Sequence, residues 1–329
     1  MRNEKLNFTV WLRAFGVLLI LACHFTQQSE NPYLVMSAQI FNIGNSVFFI
    51  LSGFLFGIKG EKEFQQIFPW YKKRLLRIYI PYELMLTALF TVQLIVQKSV
   101  NLARWIPQIL GVQAWNGVFG AKQTWFVTSI LICYLFTPLV AKCYDEVRDS
   151  KRRTLQFAIL LAIMPAIIPY TFGGIIVDAS IIAPVFWYSI AFLIGTKINQ
   201  IPLKKKYAVR AFVLMNIGFI IRLFGRALWD DTIFYTHIIA SYTHVLGAFC
   251  IFYIFAVCFE RIKPWKIVAW FSGVSFEVYL WHYMFTDGPL RLFGITDYWI
   301  VDCAIVFGVS VVPAWGANWI AGRIFQKLR

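Results

Sequence analysis

Three features of the sequence predict an all-α polytopic integral membrane protein. Hydrophobic residues make up 59% of the 329-residue chain and charged residues 14%, with a mean hydropathy of +0.65. That is more apolar side chain than a soluble core of this length accommodates. The apolar residues fall into about ten runs long enough to cross a bilayer, at roughly 6–25, 40–58, 79–97, 124–141, 154–172, 181–198, 208–228, 239–259, 268–286 and 298–321. The basic residues are sorted between alternate loops, so the bilayer is the solvent and residues 1–329 read as one transmembrane domain.

Ten crossings put both termini on one side. With the N-terminus in the cytoplasm, the inside segments carry 24 of the 31 Lys and Arg residues, the outside loops carry four, and Arg13, Arg222 and Arg226 lie within spans. The positive-inside rule therefore assigns both termini to the cytoplasm. It also accounts for the net charge of +15 as topology, leaving no basic domain for nucleic acid. Reporter fusions after Lys206 and Arg329 should be cytoplasmic and those after Gln113 and Asp178 extracytoplasmic; an extracytoplasmic C-terminus would overturn the ten-span arrangement.

The first span, Phe8 to Phe25, carries Arg13 and His24 inside FTVWLRAFGVLLILACHF. Eleven residues is close to three helical turns, so both side chains leave one face about 16 Å apart along the axis. Snorkelling of Arg13 and an interfacial place for His24 would explain the pair equally well. Arg2 and Lys5 precede the run as in a signal peptide, but Arg13 interrupts it and no small-residue cleavage site follows, so the segment reads as a retained span.

Before the third span stands YKKRLLRIYIPY, Tyr71 to Tyr82. Arg74 and Arg77, with Lys73 beside them, suit phosphate groups, although topology signalling and anionic lipid would account for them as well. Glu83, about one turn inside that span, needs a partner, with Arg13, Arg74 and Arg77 the candidates. The outer loop Lys98 to Gln123 brings Trp105, Trp115 and Asn116, and Trp125 follows; such rings stack on sugars or form an interfacial belt. The fifth and sixth spans, with Pro165, Pro169 and Pro184, read as scaffold. In the seventh, Arg222 and Arg226 lie in the outer half with Asp230 four residues on, either as a self-satisfying ladder or as a grip on an acceptor.

All four histidines, His24, His237, His244 and His282, fall toward the outer side, which suggests a polar cavity there. Glu277, five residues before His282, is the deepest acid. The six cysteines lie in or beside apolar runs without CxxC or His-rich spacing, so they read as packing residues, and no metal site is implied.

These pieces combine into a resemblance. Arginine, ten residues, then histidine on the first span; NSVFFILSGFLFG at Asn45 to Gly57; the arginine pair at Arg74 and Arg77; TWFVTSILICYLFTPL at Thr124 to Leu139; and VSFEVYLWH at Val274 to His282 together resemble the acyltransferase-3 family of membrane-bound acyltransferases. The resemblance implies transfer of an acyl group, most often acetyl, from cytoplasmic acyl-coenzyme A (acetyl-CoA) to a hydroxyl of an extracytoplasmic or lipid-linked carbohydrate at the cell membrane. Under it His24 is the candidate base and Arg13 its companion; Lys73, Arg74 and Arg77 bind the coenzyme; Arg222, Arg226, Glu277, His282 and Trp125 meet the acceptor. A chain ending at Arg329 without an appended esterase-like domain is expected to complete its reaction within the membrane domain. A glycan or lipid-carrier transporter would use the same buried charges without chemistry, whereas a structural membrane subunit would leave Arg13, Arg222 and Glu277 without a reason to be buried.

Overall fold

The computed structural model describes residues 6–60, 64, 66–97, 100–114, 116–172, 179–229 and 232–328. Among them the chain is helical, without strands: α1 (Asn7–Thr26), α2 (Pro32–Phe41), α3 (Gly44–Lys59), α4 (Ile67–Gln97), α5 (Leu102–Ile109), α6 (Trp125–Val147), α7 (Lys151–Phe172), α8 (Ala179–Thr196), α9 (Lys205–Trp229), α10 (Ala240–Phe259), α11 (Lys266–Gly273), α12 (Ser275–Thr286) and α13 (Trp299–Lys327). A π-helical turn, Phe234–Ile239, leads into α10. Among the described residues eight stretches are long and apolar enough to cross a membrane.

The difference from ten lies in two places. The sixth expected span holds a shorter apolar helix, Ile181–Thr196. The ninth, expected as one helix over 268–286, is broken between α11 and α12, where Val274 leaves helical geometry at φ −101° and ψ 5°. Asn318 of α13 donates its amide to the Gly273 carbonyl at 3.3 Å and to Glu277 Oε1 at 2.9 Å. The break is thus stabilised where it would otherwise leave a backbone acceptor unpaired. Glu277 then sits in the first turn of α12, where the helix dipole favours a carboxylate.

The helices form two compact units interleaved along the sequence. The first comprises Met1–Gly16, Asn42–Ile67 and Ile132–Ser272; the second Val17–Phe41, Phe68–Leu131 and Gly273–Arg329.

In the first unit α3 lies backbone to backbone against α8. Gly53 and Gly57 form a GxxxG stripe. A Cβ at Gly53 would lie 2.1 Å from the Tyr188 carbonyl oxygen, one at Gly57 2.0 Å from that of Phe192, and one at Gly195 2.2 Å from that of Phe54. Only hydrogen fits there, and small residues are what lets membrane helices approach this closely. Gly57→Ala should force the helices apart and cost about 1–3 kcal/mol, the range for overpacking, visible as a lower melting temperature of the detergent-solubilised protein. An unchanged melting temperature would contradict the close approach.

In the second unit the segment after α4 is fastened inward by amide side chains. Gln108 is fully buried: its amide donates to the Tyr82 hydroxyl at 2.9 Å and to Thr124 Oγ1 at 2.8 Å, and its Oε1 accepts from the Val118 N–H at 3.1 Å. Gln113 donates to the Thr124 carbonyl at 2.8 Å. These bonds let a non-helical connection remain buried, since they pair most of its amide groups with partners inside the unit. Meanwhile α5 turns Leu102, Ile106 and Ile109 outward and Trp105 inward, the pattern of a helix lying in the membrane interface.

Candidate active site

The C-terminal end of α1 is held by two devices. Thr26 returns its hydroxyl to the Ala22 carbonyl at 2.8 Å, and Trp299 Nε1 donates to the Phe25 carbonyl at 3.0 Å, so acceptors left over at the helix end are engaged. Trp299 opens α13, whose first turn carries buried Asp302. That carboxylate accepts the Gly294 N–H at 2.7 Å, the Thr296 N–H at 3.2 Å and the Thr296 hydroxyl at 2.8 Å, fixing the chain that leads into α13. His24, in the last turn of α1, is therefore presented from a constrained helix end.

α12 is fixed from the opposite side. Gln123 donates its amide to the Leu280 carbonyl at 2.8 Å, and the Tyr279 hydroxyl donates to the Gln123 carbonyl. The Tyr279 ring packs edge-on against Phe126, with centroids 5.3 Å apart.

Between these supports two imidazoles meet. The rings of His24 and His282 lie 5.1 Å apart, tilted by 35°. Tyr283 stands edge-on to both, at 5.2 Å from His24 and 5.9 Å from His282. His282 is fully buried, and its Nδ1 lies 2.6 Å from the Tyr279 carbonyl oxygen. A carbonyl can only accept, so Nδ1 carries the proton and Nε2 presents a lone pair. That Nε2 is buried and has no hydrogen-bond partner among the described residues; the same holds for His24 Nδ1. A buried polar atom left so costs on the order of 1–3 kcal/mol, so two in one contact call for an explanation.

Beyond the imidazoles the arrangement continues toward solvent. The Tyr283 hydroxyl donates to Asp287 Oδ2 at 3.3 Å, and Lys122 Nζ lies 3.7 Å from the same oxygen. Tyr283, Asp287, Lys122 and Gln123 were not singled out by the sequence reading. Their available signal was the i, i+4 spacing of Tyr283 and Asp287 beside His282.

The other candidates are distributed as follows. Arg13 is half-buried on α1 in the first unit, and Glu83 is half-buried on α4 in the second. Arg74 is buried with its guanidinium 5.9 Å from the Trp70 ring; Arg77 is exposed, 5.3 Å from the Phe325 ring, and Lys73 is half-buried. Glu277 is held by Asn318, as described. Arg222 is buried in the first unit and donates Nη1 to the Ala240 carbonyl at 2.5 Å, at the junction between the π-helical turn and α10; Tyr235 of that turn donates its hydroxyl to the Arg222 carbonyl at 3.3 Å. One guanidinium nitrogen of Arg222 is thus engaged by the backbone at that junction. Arg226 is exposed in the last turn of α9, and Asp230 and Trp115 lie outside the described residues. Trp105 is only 3% exposed and packs edge-on against Phe90 at 5.0 Å, which withdraws it from any sugar-stacking role. Trp125, at the first position of α6, is half-buried. Of the four histidines, His24 and His282 come together, while His244 lies beside Arg222 in the first unit.

The profile of the acyltransferase-3 family, described as an acyltransferase domain, matches residues 7–319. No curated protein and no solved structure matches the chain.

Proposed function

Because the chain belongs to the acyltransferase-3 family, and is therefore a membrane acyltransferase, we propose that it moves an acyl group, acetyl first among candidates, from cytoplasmic acyl-coenzyme A to a carbohydrate hydroxyl at or beyond the outer face. The paired imidazoles of His24 and His282 carry this reading. In the reaction the acceptor oxygen bonds to the thioester carbonyl carbon, the carbon–sulfur bond breaks, and the hydroxyl proton passes to an imidazole and then to the departing thiolate. A neutral imidazole with an unengaged nitrogen is suited to that transfer.

We assign His24 the role of base, because it sits in a half-buried position on the last turn of α1 while His282 is fully enclosed. His282, with Nδ1 committed to the Tyr279 carbonyl, keeps one tautomer and holds its Nε2 lone pair in the same cluster. Asp287 and Lys122, beside Tyr283, offer a carboxylate and an ammonium to the polar groups of a sugar. Arg13 remains the proposed companion of His24 on the first span, and Glu277, with its second oxygen unpartnered and buried, the proposed contact inward of His282.

Incubating the purified protein with radiolabelled acetyl-coenzyme A and following release of free coenzyme tests the reading. A protein that only translocates a glycan leaves the donor intact. For the donor end, Arg74→Ala and Arg77→Ala should each weaken acyl-coenzyme A binding by about 1.5–3 kcal/mol, the scale of hydrogen bonds to charged groups. Arg→Lys should restore part of it, since the planar fork is lost. Unchanged donor binding in both alanine variants would return these residues to topology signalling.

A further inference from the structure

The first unit contains an apolar cleft lined by none of the residues assigned to acyl transfer above. α8 and α10 both pack on α3, and the half-open cleft between them has a volume of about 360 Å³ beside the segment that joins α8 to α9. Ile190 and Ile194 of α8, Phe249 and Ala256 of α10, and Leu203 of the connecting segment line it, and its wall is almost wholly apolar. Tyr253 supplies the one hydroxyl among its lining residues. That group is engaged, donating to the Pro202 carbonyl at 2.5 Å and accepting the Lys204 N–H at 3.4 Å. Hydrocarbon fits such a space and a polar solute does not.

The rim has the opposite character. The lining segment is bounded by Lys197 on one side and by Lys204, Lys205 and Lys206 on the other, and the last three are exposed. The Tyr253 hydrogen bonds tie the start of that lysine run to the edge of the cavity. Between Ala179 and Trp229 the sequence has no Asp or Glu; the acid nearest in sequence to the lining residues of α10 is Glu260, half-buried just past that helix. This is also an end that the asymmetry of basic residues assigns to the cytoplasm, where the leaflet surface is negative.

We propose that the cavity holds one acyl chain of an anionic phospholipid whose phosphate is bound by the lysines at its rim. In a bilayer the chain alone gives little preference, because its alternative surroundings are equally apolar. Selection therefore falls to the head group, and cationic side chains at the surface supply it. The proposal stands independently of the acyltransferase chemistry.

The test uses the full chain purified in a neutral detergent, with bound lipid counted by native mass spectrometry and stability followed by thermal unfolding. Dioleoyl phosphatidylglycerol, phosphatidylcholine with the same chains, and glycerol phosphate without chains are the probes. One phosphatidylglycerol should be retained about tenfold more tightly than phosphatidylcholine, by the attraction expected of surface lysines, and should raise the unfolding temperature; glycerol phosphate should do neither. The triple variant Lys204→Gln, Lys205→Gln, Lys206→Gln alters only exposed side chains and should lose the preference. Ala256→Phe, which fills the cavity, should lose retention of both lipids. Equal retention of the two lipids by the unaltered protein, or a preference that survives the triple variant, would overturn the proposal. Displacement of phosphatidylglycerol by palmitoyl-coenzyme A at equal concentration would overturn it in favour of a coenzyme-linked chain.

Discussion

Replacing His24 with alanine is expected to abolish acyl transfer while leaving acyl-coenzyme A binding close to that of the unaltered protein. General-base catalysis contributes about 10²–10⁴-fold, so loss of the group that takes the hydroxyl proton should lower turnover by at least the lower figure. Donor binding is expected to survive because the proposed coenzyme contacts lie on α4, whereas His24 ends α1 beside His282 and Tyr283. A rate that falls on acidification would follow from the same role, since protonating the imidazole removes its acceptor lone pair. The measurement is transfer to acceptor by a His24→Ala protein present in membranes at the wild-type level, with donor binding measured in parallel. Substantial residual transfer would reject His24 as the base and move the role to His282 or His244.

The first-span pair was legible because an arginine and a histidine inside an apolar run are expensive, and expense in a membrane leaves a sequence signature. The pairing of His24 with His282 was not. They are separated by most of the chain, and periodicity reports which face a residue occupies on its own helix, without reporting which helix it meets. The same limit hid the α3–α8 contact: Gly53 and Gly57 were quoted for a resemblance, while the carbonyls of Tyr188 and Phe192 that require them lie far along the chain. The break at Val274 was not foreseen: SGVSFEVYLWH holds two serines, a glycine and Glu277, yet composition does not say that the helix is interrupted there, and the group that makes the break tolerable, Asn318, belongs to another helix. Arg222 illustrates the converse. Its place in an apolar span was evident, but the bond from its Nη1 to a backbone carbonyl at a π-helical turn depends on geometry that composition does not encode. The helices themselves were readable nearly everywhere, since membrane helices satisfy their backbone internally and announce themselves by length.

If the two imidazoles act as one device, removing the second after the first should cost little. His282→Ala alone is expected to lower transfer by about 10²-fold or more, the lower bound for a group assisting proton transfer, because His24 would lose the aromatic neighbour that orients it and the cluster would lose the Nε2 lone pair held by the Tyr279 carbonyl. Residues that work as a unit are strongly non-additive. The double variant His24→Ala, His282→Ala should therefore be no slower than His24→Ala within experimental error, whereas independent contributions would multiply. His282→Phe separates packing from chemistry: it keeps an aromatic ring beside His24 and Tyr283 but has no nitrogen. Activity of His282→Phe near that of the unaltered protein would make His282 a packing residue. Multiplicative losses in the double variant would show that the two imidazoles act on different steps. Equal loss in His24→Ala and the double variant, with His282→Phe as impaired as His282→Ala, is the result expected of a shared proton site.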